Sequence, residues 1–141
     1  MSQPRFIDTN ILLYSISTDP DEERKRAIAI GILESDDLAL SVQVLQEFYV
    51  QATRPSRQDA IAHDLAVGLI GTWLRFLVQE LTVGVMLGAL EIKSEQELSY
   101  WDAAIVSAAR TVGCGELLSE DMAHGRVIEG VQITNPFRWE C

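Results

Sequence analysis

Histidine and cysteine are scarce in this sequence, which contains two of each among 141 residues. Cys114 and Cys141 are too few for a disulfide framework, and neither stands at a metal-binding spacing. His63 and His124 lack the partner spacing of a zinc site or a catalytic base, so we interpret both as surface or loop residues. These shortages argue against a disulfide-stabilised secreted protein and against a zinc centre. They indicate a reducing, cytoplasmic compartment.

Long apolar runs and positive charge are lacking as well. The longest apolar stretches, 65–74 and 81–90, are shorter than the roughly 20 residues of a membrane-spanning helix, and the first residues do not follow the order of a signal peptide. With 21 acidic against 11 basic residues the net charge is −10, whereas a groove-binding nucleic-acid protein concentrates positive charge. We therefore expect no membrane association. To bind a phosphate, this acidic protein would have to use a local basic patch or bound cations.

Hydrophobic residues make up 48% of the chain, which is enough to bury a core in a single domain over residues 1–141. Short apolar segments alternate with segments of helical periodicity. This alternation predicts an α/β fold of three layers (α/β/α), with helices on both faces of a central, mainly parallel sheet of about five short strands. The strands are predicted at 4–7, 38–41, 76–81, 115–121 and 130–135. The helices are predicted near 8–16, at 21–34, from 42 to about 54, and at 58–75, 83–97 and 99–113.

Acidic residues lie where the predicted strands end or where helices begin. Asp8 follows the first strand, and Glu120 and Asp121 follow the fourth. Asp102 begins a helix, and Glu47 lies within a helix at the edge of its apolar face. Because ligands of open α/β sheets bind beyond the carboxyl ends of the strands, we expect several of these acids to meet there.

A cluster of carboxylates is costly unless a cation neutralises it, since each charge opposes ionisation of the next. Oxygen ligands without cysteine or histidine suit hard divalent ions such as Mg²⁺ or Mn²⁺. Thr9, Asn10 and Ser119 are then placed to hold carboxylates or metal-bound waters through hydrogen bonds.

Each acid also has a purely structural interpretation. Asp8 fits a helix cap, and Asp102 fits a first-turn acid stabilised by the helix dipole. Asp121 fits a turn, and Glu47 fits a solvated helix position. Acids at helix starts are common, so no single residue decides between the two interpretations.

Five segments together carry a family resemblance: FIDTNILLY (6–14), LSVQVLQEF (40–48), SYWDAAIVSAA (99–109), LLSEDMAHG (117–125) and NPF (135–137). In this order and spacing they resemble the PIN domain, specifically its bacterial VapC-like branch, over almost the whole chain. The resemblance implies a small α/β/α domain that acts as a ribonuclease with Mg²⁺ or Mn²⁺. Many such proteins are toxins of toxin–antitoxin pairs, often homodimeric and inhibited by a cognate antitoxin.

The acidic quartet of that family matches Asp8, Glu47, Asp102 and Asp121, which the resemblance makes catalytic metal ligands. Its hydroxyl and amide of the first motif match Thr9 and Asn10, and its small hydroxyl before the last acid matches Ser119. Glu120 adjoins Asp121, so either residue could contact the metal, and we favour Asp121.

Basic and aromatic residues near these motifs allow two interpretations each. Arg24 and Lys25, in the cluster ERKRA (23–27), and Arg54 and Arg57 are candidates for contacting RNA phosphates or an antitoxin. They are equally well explained as solvated surface. The pair YW (100–101) is better explained by packing at the helix start than by base stacking.

Other enzyme classes lack their motifs. There is no phosphate-binding GxxxxGK[ST] loop and no GxSxG nucleophile turn. Aspartyl-phosphate hydrolases require a second aspartate where this chain has Asn10. The remaining alternatives to an antitoxin-controlled toxin are an RNA-processing nuclease without an antitoxin and a catalytically silent binding module that keeps the fold.

Overall fold

The structure, a computed structural model, describes residues 3–138, so Cys141 lies outside the described part. Within this range the chain forms one six-stranded sheet. Its strands are β1 (Arg5–Ile7), β2 (Leu38–Ser41), β3 (Leu77–Gln79), β4 (Glu116–Leu118), β5 (Val127–Ile128) and β6 (Val131–Thr134). Their order across the sheet is β3-β2-β1-β4-β6-β5, and only the β5–β6 pair is antiparallel. The predicted α/β fold with a mainly parallel sheet is confirmed.

Strand β5 was not among the predicted strands. Its two residues are too few to give a periodic pattern, and its position follows from a tight turn into β6. Glu129 and Gly130 both have positive φ, 51° and 81°, which is the geometry of a two-residue hairpin turn.

Six helices connect the strands of the described chain. They are α1 (Thr9–Ser15), α2 (Glu23–Leu33), α3 (Val42–Ala52), α4 (His63–Trp73), α5 (Val83–Glu95) and α6 (Tyr100–Thr111). Right-handed crossovers that run in opposite directions across a parallel sheet place their helices on opposite faces. The connections β1–β2 and β2–β3 run one way and β3–β4 runs back, so α1–α4 cover one face and α5–α6 the other. No helix within residues 3–138 has the length and apolar character to cross a membrane.

Side chains at the helix starts explain where the helices begin. Ser41, Thr82 and Ser99 each accept a hydrogen bond from the backbone N–H three residues later, which satisfies a donor that the helix itself leaves unpaired. At the end of α6, Gly113 adopts φ 92°, the left-handed conformation typical of a residue that ends a helix.

The helix predicted at 58–75 is wrong at its start, because α4 begins at His63. Residues 58–62 form a loop in which the Asp59 carboxylate accepts the backbone N–H of Thr18 and pairs with Arg57. The backbone N–H groups of Ala60 and Ile61 donate to the carbonyls of Arg57 and Ala52, so this segment makes the hydrogen bonds of a loop and not those of a helix. The region 21–34 also differs, since a 3₁₀ turn at Pro20–Glu22 precedes α2.

Helices α5 and α6 pack closely because small residues face each other. Residues 103–109 of α6 are all buried, and the Ser107 hydroxyl donates a 2.8 Å hydrogen bond to the carbonyl of Val85 in α5. A Cβ on Gly88 would stand 2.5 Å from that hydroxyl oxygen. The absence of a side chain at Gly88 therefore allows the helix–helix hydrogen bond.

We expect Gly88→Ala to lower the free energy of unfolding by about 1–3 kcal/mol, because the added methyl displaces Ser107 and breaks its hydrogen bond. Chemical denaturation measures the change. Gly68→Ala in α4 is the matched control, since no atom of the described residues lies within 4 Å of a Cβ added there. In an exposed helix, alanine is better than glycine by roughly 0.5–1 kcal/mol. Equal effects of the two substitutions would contradict the close packing at Gly88.

Candidate carboxylate active site

Asp8 stands where the two central strands end side by side. Strands β1 and β4 pair in parallel, with Ile7 beside Leu118, and the backbone N–H of Asp8 donates to the Leu118 carbonyl at 3.0 Å. One carboxylate oxygen, Oδ1, accepts the backbone N–H of Thr9 at 2.7 Å, and the other accepts the Ser119 hydroxyl at 2.7 Å. The side chain thus caps α1 and is also fixed to the end of β4.

The environment of Asp8 disfavours its charged form. The residue is only 4% exposed, and this burial raises the pKa of its carboxyl to about 7. The hydrogen bonds from Ser119 and Thr9 act in the opposite direction, and the charges of Asp121 and Asp102 raise the pKa further. Burial and the neighbouring negative charges make this a costly position for a carboxylate that serves only as a helix cap.

Asp102 and Glu47 lie near the same point from different helices. Burial raises the pKa of Asp102, and the charges of Asp121 and Glu47 add to the effect. The Thr9 hydroxyl donates a 2.8 Å hydrogen bond to Glu47 Oε1, which joins α1 to α3. Gln43, one turn before Glu47, lies 3.5 Å from its other oxygen and also donates to the Trp101 carbonyl at 3.2 Å.

Asn10 and Ser119 orient the last acid of the group. The Asn10 amide donates a 3.2 Å hydrogen bond to Asp121 Oδ2, and the Ser119 hydroxyl accepts the Asp121 backbone N–H at 3.2 Å. Ser119 is therefore bonded to both Asp8 and Asp121. The oxygen Oδ1 of Asn10 is buried and has no hydrogen-bond partner in the described chain, so an acceptor remains unused beside the acids.

Glu120 is engaged away from this group. Its two carboxylate oxygens accept the Tyr14 hydroxyl and the Lys25 ammonium, which lies 5.0 Å from the centre of the Tyr14 ring. The charge of Asp121, by contrast, raises the pKa of both Asp8 and Asp102, so Asp121 lies close to these two acids. The sequence pattern gave no indication of the role of Tyr14, although its position at the end of α1 beside Glu120 follows from the parallel pairing of β1 and β4.

The four basic candidates lie in different surroundings. Arg24 donates to the Phe137 carbonyl at 2.9 Å, Lys25 pairs with Glu120, and Arg57 pairs with Asp59 at 2.8 Å. Arg54 is exposed and lines a groove that also contains Glu47 and Trp101. Their contact with RNA or an antitoxin stays a prediction.

Hydrogen bonds link three of the acids, Asp8, Glu47 and Asp121, with their three polar partners, and Asp102 interacts with the group through the charges of Asp121 and Glu47. The donors are all oxygens, which fits a hard divalent cation, and the unused acceptor of Asn10 is available to a metal-bound water. Among residues 3–138, no three acidic, histidine or cysteine side chains stand close enough to hold a metal ion as they are placed. A divalent cation would reduce the free-energy cost of bringing these carboxylates together.

Acids brought from four distant segments to the carboxyl end of a parallel sheet define this as an α/β domain with an acidic site. A family model described as "PIN domain" matches residues 5–129, and the chain belongs to this family. A comparison with curated proteins finds no match.

Several solved structures share the fold. Mycobacterium tuberculosis VapC20, described as a sarcin–ricin loop cleaving toxin, is 21% identical with a TM-score of 0.64, over 83% of this chain and 91% of that one. A toxin–antitoxin complex from Klebsiella pneumoniae contains a chain that is 20% identical with a TM-score of 0.69, over 94% and 97%. DNA-bound VapBC from Salmonella typhimurium gives 16% identity and a TM-score of 0.66, over 95% and 98%.

Proposed function

We propose that this protein is a divalent-metal-dependent endoribonuclease and the toxin of a type II toxin–antitoxin pair. The observation that carries the proposal is the set of four acids, Asp8, Glu47, Asp102 and Asp121, which are coupled through charges and shared hydrogen-bond partners at one end of the sheet. Membership of the PIN family supports it, as does the likeness to a toxin that cleaves the sarcin–ricin loop.

In this proposal, Asp8 and Asp102 would hold an Mg²⁺ or Mn²⁺ ion, with Glu47 and Asp121 completing the site directly or through water. Such an ion would supply the positive charge needed to polarise the scissile phosphate, to lower the pKa of a water molecule and to stabilise the leaving oxygen. Bound cations would also supply the positive charge that this acidic chain lacks. The expected products carry a 5′-phosphate and a 3′-hydroxyl.

The neighbouring polar residues keep the acids in position. Ser119 and the Thr9 backbone fix both oxygens of Asp8. The Thr9 hydroxyl holds Glu47, and the Asn10 amide holds Asp121. The two hydrogen bonds to Asp8 favour one orientation of its carboxyl group, charged or neutral.

Cleavage of single-stranded and structured RNAs with Mg²⁺ or Mn²⁺, against EDTA, tests the activity. We expect the ion to be required and Asp102→Asn to reduce cutting by more than about 100-fold, since even indirect partners of a metal contribute roughly 10- to 100-fold. Asp64→Asn is the matched control, because Asp64 is an exposed first-turn acid of α4. Cutting that survives EDTA or Asp102→Asn would refute the mechanism, and no cutting of any RNA would favour a silent binding module.

An antitoxin is the second part of the proposal, supported by the toxin–antitoxin complexes among the similar structures. A small reading frame adjacent to this one, encoding a DNA-binding protein that co-purifies with this chain and stops its cutting, is the expected finding. An active nuclease without such a neighbour would instead be an RNA-processing enzyme.

We also propose that the protein is a homodimer that uses the exposed apolar side of α5. Val83, Leu87 and Leu90 repeat at helical spacing and are 69%, 56% and 49% exposed, and contiguous apolar patches on a surface mark interaction sites. We expect the wild type to sediment as a dimer and Leu87→Lys as a monomer, because a buried unpaired lysine is unfavourable. The exposed Glu34 at the end of α2, on the other face of the sheet, provides the control Glu34→Lys. A monomeric wild type would contradict the dimer.

A further inference from the structure

A groove of about 340 Å³ lies directly beside Glu47, between α3 and the start of α6. Trp101 forms one wall, and the other consists of residues on or just after α3: Gln43, Gln46, Glu47, Val50, Gln51 and Arg54. The groove therefore shares Glu47 with the acidic site and is continuous with it.

Trp101 is unusually placed for a residue of its type. Its side chain is 62% exposed, whereas Trp73 is buried in the core. It meets the neighbouring Tyr100 edge-on, with ring centroids 5.1 Å apart at 76°, and its backbone carbonyl is held by the Gln43 amide. Exposure of a large ring is unfavourable in isolation, but an aromatic surface beside a nuclease site can stack on an unpaired base.

The opposite wall offers hydrogen-bonding groups that the protein does not use. Within residues 3–138, neither the Gln46 nor the Gln51 side-chain amide makes a hydrogen bond, although Gln46 is exposed and Gln51 half-buried. Each amide carries both a donor and an acceptor, so a pair of them can bind the edge of a nucleobase. Among the described residues that line the groove, Val50 is the single aliphatic one. This lining suits a base better than the apolar face of a peptide helix.

Arg54 supplies positive charge at the far end of the groove. It follows Glu47 by seven residues, a distance of roughly 10 Å along a helix. The basic side chain and the acidic site thus bracket the groove, and a guanidinium binds a phosphate with two hydrogen bonds.

We propose that this groove binds one unpaired nucleobase of an RNA strand, next to the phosphate that is cut. The base stacks on Trp101, its edge contacts Gln46 and Gln51, and an adjoining phosphate contacts Arg54. This subsite selects single-stranded RNA, because the faces and edges of bases in a duplex are already stacked and paired and are not available to Trp101 and the two amides. The proposal rests on the ribonuclease function for the cut itself, but base binding is measurable without cutting.

The first test compares Trp101→Ala, Trp101→Phe and the control Val127→Ala, whose residue is 61% exposed on β5. We expect Trp101→Ala to lower kcat/KM for a single-stranded oligonucleotide by roughly 5- to 150-fold, and Trp101→Phe to retain most activity, since base stacking on an aromatic ring contributes about that much. Substrates with an abasic site at each position around the cut complete the experiment. When the abasic site is at the position of the bound base, the kcat/KM of the wild type should fall to that of Trp101→Ala on the intact substrate. The kcat/KM of Trp101→Ala should not fall further on this abasic substrate.

Equal losses for Trp101→Ala on intact and all abasic substrates would show a structural role and overturn the proposal. Unchanged cutting by Trp101→Ala would overturn it as well, while leaving the metal-dependent function intact.

A binding measurement separates the subsite from the proposed function. Anisotropy of a labelled oligonucleotide, with Ca²⁺ in place of Mg²⁺ to suppress cutting, should report weaker binding for Trp101→Ala than for Val127→Ala. This result would support the subsite even if no cutting were found. Binding that is absent, or unaffected by Trp101→Ala, would overturn it. The proposal would also be overturned if Trp101→Ala changed only the self-association measured by sedimentation, because the groove would then be a protein interface.

Discussion

Asp8→Asn is expected to abolish metal-dependent RNA cutting and, at the same time, to stabilise the metal-free protein above neutral pH. The pKa of Asp8 is raised by burial to about 7, against an ordinary value near 4. The folded protein therefore binds the Asp8 proton more tightly than the unfolded chain does. As pH rises from about 4 to about 7, the free energy of unfolding falls, and it stays lowered above that window.

An asparagine side chain is neutral at every pH in this range, so the free energy of unfolding of Asp8→Asn does not fall in this way as pH rises. We expect the difference between Asp8→Asn and wild type to be near zero at pH 4 and on the order of a few kcal/mol in favour of the variant at pH 8, since each unit of the raised pKa corresponds to about 1.4 kcal/mol. Thermal melts in EDTA at both pH values measure it.

The exposed Asp64→Asn is the control for these melts and should show no such pH-dependent gain. A destabilised Asp8→Asn at pH 8, or an equal gain at both pH values, would contradict the buried, partly neutral carboxyl. A variant that is stabilised and inactive would identify Asp8 as a residue kept for chemistry at a cost in stability.

The affinity for Mn²⁺ is expected to rise steeply with pH up to about 7 and then to level off. Below that pH a proton occupies Asp8, and a metal ion must displace it. The dissociation constant should therefore fall about tenfold per pH unit between 5 and 7. The raised pKa of Asp102, caused by burial and by the charges of Asp121 and Glu47, acts in the same direction.

Calorimetric titration at pH 6 in buffers of different ionisation enthalpy measures the protons released, and about one per Mn²⁺ is expected. Asp8→Asn should bind more weakly, and its residual affinity should depend less on pH. A wild-type affinity that does not change between pH 5 and 8 would place the metal away from Asp8.

Local signals in the sequence were sufficient for most of the fold. Strand β2 coincides with the predicted 38–41, and Ser41 and Thr82 begin helices as expected. These features depend on neighbouring residues, through side chains that bond to the adjacent backbone and through apolar runs of strand length. The start of α4 and the existence of β5 were not predictable in this way, since the first depends on Asp59 contacting Thr18 and the second on a two-residue turn.

The sequence alone determined which residues are candidates for the site: an acid after β1, another after β4, and polar side chains beside them. Only the tertiary structure decided which of these residues contact one another and which role each has. Asp8 and Ser119 bond across 111 residues of chain, and Glu120 turns to Lys25 whereas Asp121 joins the other acids. Charge, burial and the exposure of Trp101 depend on which segments become neighbours, and no local pattern contains that information.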